Sequence, residues 1–165
     1  NTQRNLRREA AARGVDGERL VFASIVKHQE HLRRLPLADL ALDNYYHGGG
    51  VTTLDALWAG VPLLSVPGIA PGGRLGATLS RAMGVPELVC RDLGDYVARA
   101  IDLAEDAGAR RALREKLLAQ RETAPLFDTD RFTRNLERGI AAAWENHRHG
   151  TPPRLIDLAT GPDGP

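Results

Sequence analysis

The sequence is poor in cysteine, in aromatic side chains and in any excess of charge. Its 165 residues contain a single cysteine, Cys90, so no disulfide can form within the chain, which fits a reducing compartment. Lysine and arginine total 22 against 21 aspartates and glutamates, which gives a formal net charge of +1. A balance this even offers no broad attraction for nucleic acid or for an anionic membrane surface. Any phosphate site must therefore be local.

Long apolar runs and N-terminal targeting signals are also lacking. No apolar run approaches membrane-spanning length and no secretory signal is recognisable, so we expect a cytoplasmic protein with neither membrane nor nucleic-acid partners. The composition that is present, 42% apolar and 26% charged, is typical of a soluble globular domain. Because the chain opens on Asn1 and runs straight into a polar helical segment, we expect it to be a piece of a longer protein.

Short apolar runs alternate with helical patterns along the first part of the chain. The runs predict strands at 19–24, 37–43, 61–66 and 87–90. Each run is almost uniformly apolar, as in central strands that are covered on both faces. Helices are predicted between and after them, at 2–12, 28–34, 52–59, 75–83, 93–107, 110–121 and 130–147. The alternation indicates an α/β fold with a parallel sheet, followed by C-terminal helices whose apolar faces pack onto the sheet or onto a neighbouring domain.

The most informative stretch is the glycine turn, residues 48–50, with the short helical pattern after it. Three glycines remove every side chain from the turn, and Thr52 and Thr53 then predict a helix cap. Unpaired backbone N–H groups at such a helix start favour an anion such as phosphate. A tight turn with a threonine cap and no ligand explains the pattern equally well. The order of glycines lacks both the dinucleotide fingerprint and the lysine ending of a P-loop.

Two residues of the same helix have alternative interpretations. We expect Asp55 in the first helical turn, where a carboxylate favours the helix dipole or closes a capping box, or accepts hydrogen bonds from a ribose. Trp58 fits the core better than a stacking platform. Both follow the predicted strand 37–43, and ligands of parallel sheets bind beyond the carboxyl ends of strands.

A second candidate element is the basic turn Lys27, His28, His31 and Arg34. It follows the first predicted strand, so we expect it to face the same crevice as the glycine turn, although a solvated basic turn is the simpler interpretation. No further ligands with zinc-like spacing accompany the two histidines, so no metal is predicted. A third loop, 67–74, is expected to line the same edge of the sheet. Cys90 is predicted to be inert, and no catalytic base is evident.

These residues resemble the C-terminal catalytic lobe of the O-linked N-acetylglucosamine transferase and SPINDLY glycosyltransferase family. The resemblance spans residues 4–147 and is carried by EHLRR at 30–34, LADLALD at 37–43, GGVTTLDALWAGVP at 49–62 and APLFDT at 124–129. It implies a Rossmann-like parallel sheet with helices on both faces, the C-terminal lobe of a GT-B glycosyltransferase without its first strands, over residues 1–149. Residues 150–165 are expected to form a flexible tail.

The family implies an activity and partners. Its members are cytosolic or nuclear enzymes, usually preceded by tetratricopeptide repeats. They transfer a sugar from a nucleotide sugar to Ser or Thr hydroxyls of proteins, with inversion and without a metal or another cofactor. For this chain the resemblance implies a nucleotide-sugar donor, a protein acceptor, and an N-terminal lobe that carries most of the catalytic residues. We expect the 165 residues alone to bind nucleotide weakly and to transfer little or no sugar.

The resemblance also assigns donor-binding residues. His31 and Arg34 fall on the family's histidine and arginine beside the base and phosphates, and Asp55 falls on its ribose-binding aspartate. Thr52 falls on the second threonine of the His-Thr-Thr phosphate motif, and its neighbours complete the predicted phosphate loop, namely Gly49, Gly50, Val51 and Thr53. The family's donor lysine aligns with His28, which leaves Lys27 one residue out of register.

Departures from the motif leave the donor open. Gly50 and Val51 stand where the family has histidine and the first threonine, as in bacterial and SPINDLY-like members. UDP-N-acetylglucosamine and GDP-fucose are both compatible with this pattern. The alternative to a transferase is a non-catalytic nucleotide-binding or interaction module derived from such a lobe.

Overall fold

The structure, a computed structural model, describes residues 1–158. The chain divides into two compact units, Asn1–His31 and the residues from Leu32 onward. The first unit holds helix α1 (Thr2–Ala12) and the start of helix α2 (His28–Arg34), which crosses the boundary between the units. The sheet and helices α3 to α7 belong to the second unit.

The first unit folds around Arg7 of α1. Its guanidinium carbon lies 5.4 Å from the centre of the Phe22 ring, and its Nε lies 3.8 Å from a carboxylate oxygen of Glu18. A short 3₁₀ turn, Gly17–Arg19, follows α1, and the Asp16 side chain caps it by accepting from the Glu18 amide at 3.0 Å. Cation–π and capping contacts therefore organise this unit, which has no buried side chain of its own.

The prediction of a strand at 19–24 is wrong. Residues 20–27 form neither helix nor strand, Val21 is 89% exposed and Ile25 is fully exposed. No strand pairs with this segment among residues 1–158. Without a neighbouring strand the backbone has no ladder to join, and the apolar side chains gain nothing from an extended conformation.

A small parallel sheet lies at the centre of the second unit. Strand β1 (Ala41–Leu42) pairs with β2 (Leu63–Leu64), with Ala41 opposite Leu63 and Leu42 opposite Leu64. The ladder continues by one hydrogen bond on each side, from Ala41 N to Pro62 O at 2.8 Å and from Asp43 N to Leu64 O at 2.9 Å. The parallel pairing and its crossover helix confirm the predicted α/β fold.

The two strands are covered to different extents. Every residue of 61–66 is buried, as predicted for a central strand. Leu42 in β1 is 57% exposed, so β1 is an edge of the described sheet and not the central strand predicted at 37–43. The first residue of that prediction, Leu37, instead ends a 3₁₀ turn, Leu35–Leu37, which contains Pro36 and so lacks one backbone donor.

The strand predicted at 87–90 is reduced to one bridge. Ser65 pairs with Val89 in parallel: Ser65 N donates to Leu88 O at 3.2 Å, and Cys90 N donates to Ser65 O at 2.8 Å. The preceding residues form a 3₁₀ turn, Pro86–Leu88. Proline has no N–H to give to a ladder, which explains why regular pairing does not extend further.

The helices match their predictions more closely. They are α3 (Val51–Trp58), α4 (Leu75–Ala82), α5 (Leu93–Glu105), α6 (Ala107–Gln120) and α7 (Thr129–Arg148). The predicted helix 93–107 ends early because the Asp106 side chain caps α6 by accepting from the Ala109 amide at 2.9 Å. Asp128 caps α7 in the same way, as one of the two expected caps, at 2.8 Å from the Arg131 amide.

One apolar core joins the sheet to α3, α4 and α6. Leu79 of α4 packs against this core as a partly buried side chain. The fully buried side chains come from the sheet, α3, α6 and the turns after α3 and α4, and include Leu57, Val61, Leu64, Met83, Val85, Leu88 and Leu117. Burying each such side chain contributes about 1.5–3 kcal/mol. The core thus fixes α3, and with α3 the glycine turn that precedes it.

Helix α7 does not pack its apolar face onto the sheet. Phe132, Leu136, Ile140 and Trp144 are each more than half exposed. Residues 151–158 form neither helix nor strand, and Arg154 donates to Asn146 Oδ1 at 3.1 Å. The rest of the predicted tail, 159–165, lies outside the described residues. Among residues 1–158, no helix combines the length and the apolar character needed to cross a bilayer.

Candidate functional site

The glycine turn lies between β1 and α3, and its last residue, Gly50, has no side chain. Gly50 is the N-cap of α3, and no side chain caps the helix. Gly50 O accepts from the amides of Thr53 and Leu54, both at 3.1 Å. Within the described part of the chain, the amide N–H groups of Val51 and Thr52 have no acceptor. An exposed helix start with two unpaired donors is suited to bind an anion.

The threonines do not cap the helix as predicted. Helix α3 begins at Val51, one residue earlier than expected, so Thr52 and Thr53 lie inside its first turn. Thr53 is buried and its hydroxyl donates back to Gly49 O at 2.8 Å. Thr52 is exposed beside the unpaired amides. The first turn therefore leaves its N–H groups open, which a side-chain cap would not.

Two of the three glycines are required by their surroundings. A Cβ at Gly48 would lie 2.9 Å from Asp43 Oδ2, and one at Gly49 would lie 2.5 Å from Thr52 Oγ1. Both distances are shorter than packed atoms allow. A Cβ at Gly50 would meet only Leu75 Cδ1, at 4.0 Å. Gly50 thus leaves open space at the helix start that a side chain could occupy.

The predicted positions of Asp55 and Trp58 need correction. Asp55 is the fifth residue of α3, so it lies in the second turn, half-buried, and α3 has no acidic residue in its first turn. Trp58 is 37% exposed, so it is not a core residue. Its ring packs edge-on against Phe127 at 5.0 Å, and the Arg121 guanidinium lies 4.9 Å from its centre. Both contacts are made at the surface of the second unit.

The third loop lies against the glycine turn, as expected for elements at one edge of a sheet. Gly48 N donates to Gly72 O at 3.1 Å, and a Cβ at Gly72 would come within 3.1 Å of His47 Nδ1. Arg74 donates to Gly68 O at 3.0 Å and to Ile69 O at 2.7 Å. Its guanidinium therefore holds its own loop together.

The remaining predicted residues lie on and around α2. Lys27 is exposed directly before the helix, His28 is its first residue and His31 is half-buried, and all three belong to the first unit. The His31 amide donates to Lys27 O at 2.9 Å. Arg34, half-buried, ends α2 in the second unit, which also holds the glycine turn and Asp55. That the basic turn and the glycine turn face one crevice stays a prediction.

Sequence reasoning missed Asp43. Its carboxylate Oδ1 accepts from the Asn44 amide at 2.9 Å and from the Gly49 amide at 2.8 Å, so it closes the loop from β1 to the glycine turn. Its place directly after an apolar strand was a usable signal, because functional side chains concentrate at the carboxyl ends of parallel strands. The Tyr96 hydroxyl also contacts Asp43, by donating to its main-chain O at 3.0 Å. Nothing in the sequence indicated this contact.

Cys90 is buried within the core, as its apolar surroundings predicted. The side chain is 1% exposed, and burial raises the pKa of its thiol above the ordinary range. A raised pKa lowers the fraction of thiolate, which is the reactive form.

We expect Cys90 to react slowly with a thiol reagent while the chain is folded. Reaction requires an opening of the core, and an opening free energy of about 3 kcal/mol slows labelling roughly a hundredfold. Ellman's reagent measures this directly because the chain has one cysteine. The same chain in urea is the control and should label at the rate of a free thiol. Equal rates with and without urea would contradict the burial of Cys90.

Acidic, histidine and cysteine side chains do not gather into a metal-binding cluster in the described part of the chain. Two carboxylates lie near the glycine turn, Asp55 on α3 and Asp43 at the end of β1. The chemistry that this geometry offers is anion binding by backbone N–H groups next to a half-buried carboxylate. That metal is not needed stays a prediction.

Comparisons with known proteins identify a family. Residues 1–136 match glycosyl transferase family 41. The chain is 37% identical over 146 residues to an Arabidopsis thaliana protein named as a probable UDP-N-acetylglucosamine–peptide N-acetylglucosaminyltransferase SEC, covering 88% of this chain and 15% of that protein. It is 32% identical over 150 residues to the UDP-N-acetylglucosamine–peptide N-acetylglucosaminyltransferase of Caenorhabditis elegans, covering 91% of this chain and 13% of that protein.

A solved structure has the same fold. A mutant of the Thermobaculum terrenum O-GlcNAc transferase superposes with a TM-score of 0.82 at 34% identity, over 88% of this chain and 28% of that chain. The chain therefore spans less than a third of that transferase, and about a seventh of the curated relatives named above. The resemblance and the α/β fold predicted from the sequence are both confirmed. This chain belongs to glycosyl transferase family 41.

Proposed function

We propose that this chain is the donor-binding part of an inverting protein O-glycosyltransferase, which transfers a sugar from a nucleotide sugar to Ser or Thr of a protein. One observation carries the proposal: the start of α3 presents the unpaired amides of Val51 and Thr52 after a turn without side chains. Such a helix start binds the diphosphate of a nucleotide through N–H donors and the positive end of the helix dipole.

Different residues of the second unit bind different parts of the nucleotide sugar. The amides at the start of α3 and the Thr52 hydroxyl hold the diphosphate, and Asp55, one turn further along, accepts hydrogen bonds from the ribose hydroxyls. In an inverting transfer the diphosphate leaves with its electron pair as the acceptor hydroxyl attacks the sugar. N–H donors aimed at the departing phosphate stabilise the charge that develops, and they do so without a metal.

Arg34, His31, His28 and Lys27 are proposed to contribute positive charge and hydrogen bonds to the base and phosphates, as the family resemblance implies. A base for the acceptor hydroxyl is proposed to come from an N-terminal lobe. Tetratricopeptide repeats in the same protein remain part of this proposal.

The donor sugar is proposed to be N-acetylglucosamine. The relatives from Arabidopsis thaliana and Caenorhabditis elegans are both named for UDP-N-acetylglucosamine. Fucose from GDP-fucose is the competing donor, because Gly50 and Val51 depart from the His-Thr-Thr motif. A second alternative is a binding module that no longer transfers sugar. It is favoured by the open space beside Gly50, where the motif has a histidine side chain and where a Cβ would meet only Leu75 Cδ1 at 4.0 Å.

Isothermal titration of the chain with UDP-N-acetylglucosamine and with GDP-fucose tests the proposal. We expect weak binding of the uridine nucleotide, with a dissociation constant of about 1 mM. Asp55→Ala should weaken it about tenfold to a hundredfold, because a hydrogen bond to a charged group contributes about 1.5–3 kcal/mol. Arg34→Ala should weaken it as well.

The matched control is Asp102→Ala, on the exposed surface of α5. It removes the same charge elsewhere and should leave the affinity unchanged. Binding of neither nucleotide, or equal affinities of wild type and Asp55→Ala, would overturn the proposed site. Tighter binding of GDP-fucose would reassign the donor. Binding without transfer in a protein that includes the N-terminal lobe would favour the non-catalytic module.

A further inference from the structure

The carboxylate of Asp43 lies at the centre of the hydrogen bonds that shape the glycine turn. Oδ1 accepts from the amide at each end of the loop, at 2.9 Å from Asn44 N and 2.8 Å from Gly49 N. The second of these donors precedes the N-cap residue Gly50 by one position. A change in the position of this oxygen would therefore move the start of α3.

The other carboxylate oxygen, Oδ2, occupies a narrow slot between two glycines. A Cβ at Gly48 would approach Oδ2 to 2.9 Å, and a Cβ at Gly76 of α4 would overlap it. Gly48 itself donates to Gly72 O at 3.1 Å, so the third loop lies beside the glycine that borders the slot. Only glycine at both positions leaves room for the carboxylate.

The main chain of Asp43 is anchored as firmly as its side chain. Its N–H donates to Leu64 O at 2.9 Å, which extends the parallel ladder, and its C=O accepts from the Tyr96 hydroxyl at 3.0 Å. Burial, followed by the nearby Asp43 carboxylate, raises the pKa of Tyr96, so this hydroxyl keeps its proton and remains a donor. The carboxylate thus projects from a fixed point on the sheet.

No lysine or arginine pairs with Asp43 within residues 1–158. Its only polar partners there are backbone amides and, at its main chain, Leu64 O and Tyr96. A carboxylate placed near a phosphate site without a cation opposes the anion electrostatically. We explain the carboxylate of Asp43 by the shape that it gives the loop, because one carboxylate oxygen accepts two amide hydrogen bonds at once.

We propose that Asp43 is a positioning residue for the donor site, which sets the glycine turn so that the amides of Val51 and Thr52 point at the diphosphate. This inference rests on the proposed function. Asp43 does not touch the nucleotide. It acts through the amide of Gly49.

The test compares Asp43→Ala with the conservative Asp43→Asn in the full chain, by titration with UDP-N-acetylglucosamine at a temperature well below unfolding. Asp43→Ala should weaken binding about tenfold or more, because the turn loses its two hydrogen bonds to a charged acceptor. Asp43→Asn should bind within about threefold of wild type, because its amide oxygen still accepts from Gly49 N. Asp39→Ala, an exposed aspartate of the same segment, is the control and should bind as wild type.

A purely structural role would lower the melting temperature and leave the affinity of the folded protein unchanged, and that result would overturn the proposal. Amide NMR shifts give a second measure that needs no ligand. In Asp43→Ala the resonances of Gly49, Val51 and Thr52 should move, and the Gly49 amide, which loses its acceptor, should exchange faster with solvent. In Asp43→Asn the three resonances should stay near their wild-type positions.

The two measurements also separate this inference from the proposed function. If wild type binds neither nucleotide, the proposed function fails, and the resonances alone decide the positioning role. Unmoved Val51 and Thr52 resonances in Asp43→Ala would then refute it.

Discussion

Replacing Leu64 by alanine should lower the free energy of unfolding by about 2–5 kcal/mol. Leu64 is fully buried in β2, in the core cluster that also contains Leu57, Val61 and Leu88. The substitution removes three heavy atoms from a packed interior, and the loss combines their transfer free energy with the cost of the cavity left behind. Urea unfolding followed by circular dichroism measures the change as a shift of the midpoint at constant slope.

The sheet provides a matched control for this substitution. Leu42 is the register partner of Leu64 in β1, with the same residue type and the same parallel pairing, yet it is 57% exposed. Leu42→Ala should cost less than about 1 kcal/mol, because little apolar surface leaves water at that position on folding. Equal losses for the two variants would show that β1 is covered in solution and would contradict its place at the edge of the sheet.

This pair also shows what could not be predicted from the sequence. The runs at 37–43 and 61–66 are both almost uniformly apolar, so composition predicts the same covered strand for each. The structure buries one and exposes part of the other. Coverage depends on which segments pair and pack, which is a property of the whole fold. The run at 19–24 is the extreme case, since the same kind of segment forms no strand at all.

Helix predictions succeeded because their signals are local. Helix α1 has the predicted bounds, and α7 begins after its predicted Asp128 cap. The apolar period and the capping side chain both lie within a few residues of the element that they define. The boundary between the helices predicted at 93–107 and 110–121 was misplaced, and another local signal explains the observed one: Asp106 caps α6, which begins at Ala107.

The candidate site was predictable in part for the same reason. A run of three glycines before a helical pattern indicated an open helix start, and α3 begins there with Gly50 as its N-cap. The role of Asp43 was not predictable, because its slot is formed by Gly48 nearby and by Gly76 on another helix. Contacts between residues far apart in the sequence leave no local pattern.

Gly76→Ala should have the second large effect. Its Cβ would overlap Asp43 Oδ2 and would lie 3.1 Å from Ser65 Cβ, in a buried part of α4. Overpacking of this kind costs about 1–3 kcal/mol in the free energy of unfolding. Gly139→Ala is the control: in the interior of α7 its Cβ would meet only Leu158 Cδ1, at an ordinary 3.5 Å. That variant should gain about 0.5–1 kcal/mol, because alanine favours the helix over glycine.

The two variants make the same chemical change, yet Gly76→Ala should destabilise the protein and Gly139→Ala should stabilise it. The difference comes from the space available for the added methyl group. A double-mutant cycle identifies the atoms responsible. If the methyl group added at position 76 destabilises by displacing the Asp43 carboxylate, then Gly76→Ala should cost less when Asp43 is already replaced by alanine, and the double variant should lose less than the sum of the single losses. The same urea titrations supply all four free energies. Additive losses would show that the added methyl group clashes with Ser65 instead, and that the slot between Gly48 and Gly76 is not what holds the carboxylate in place.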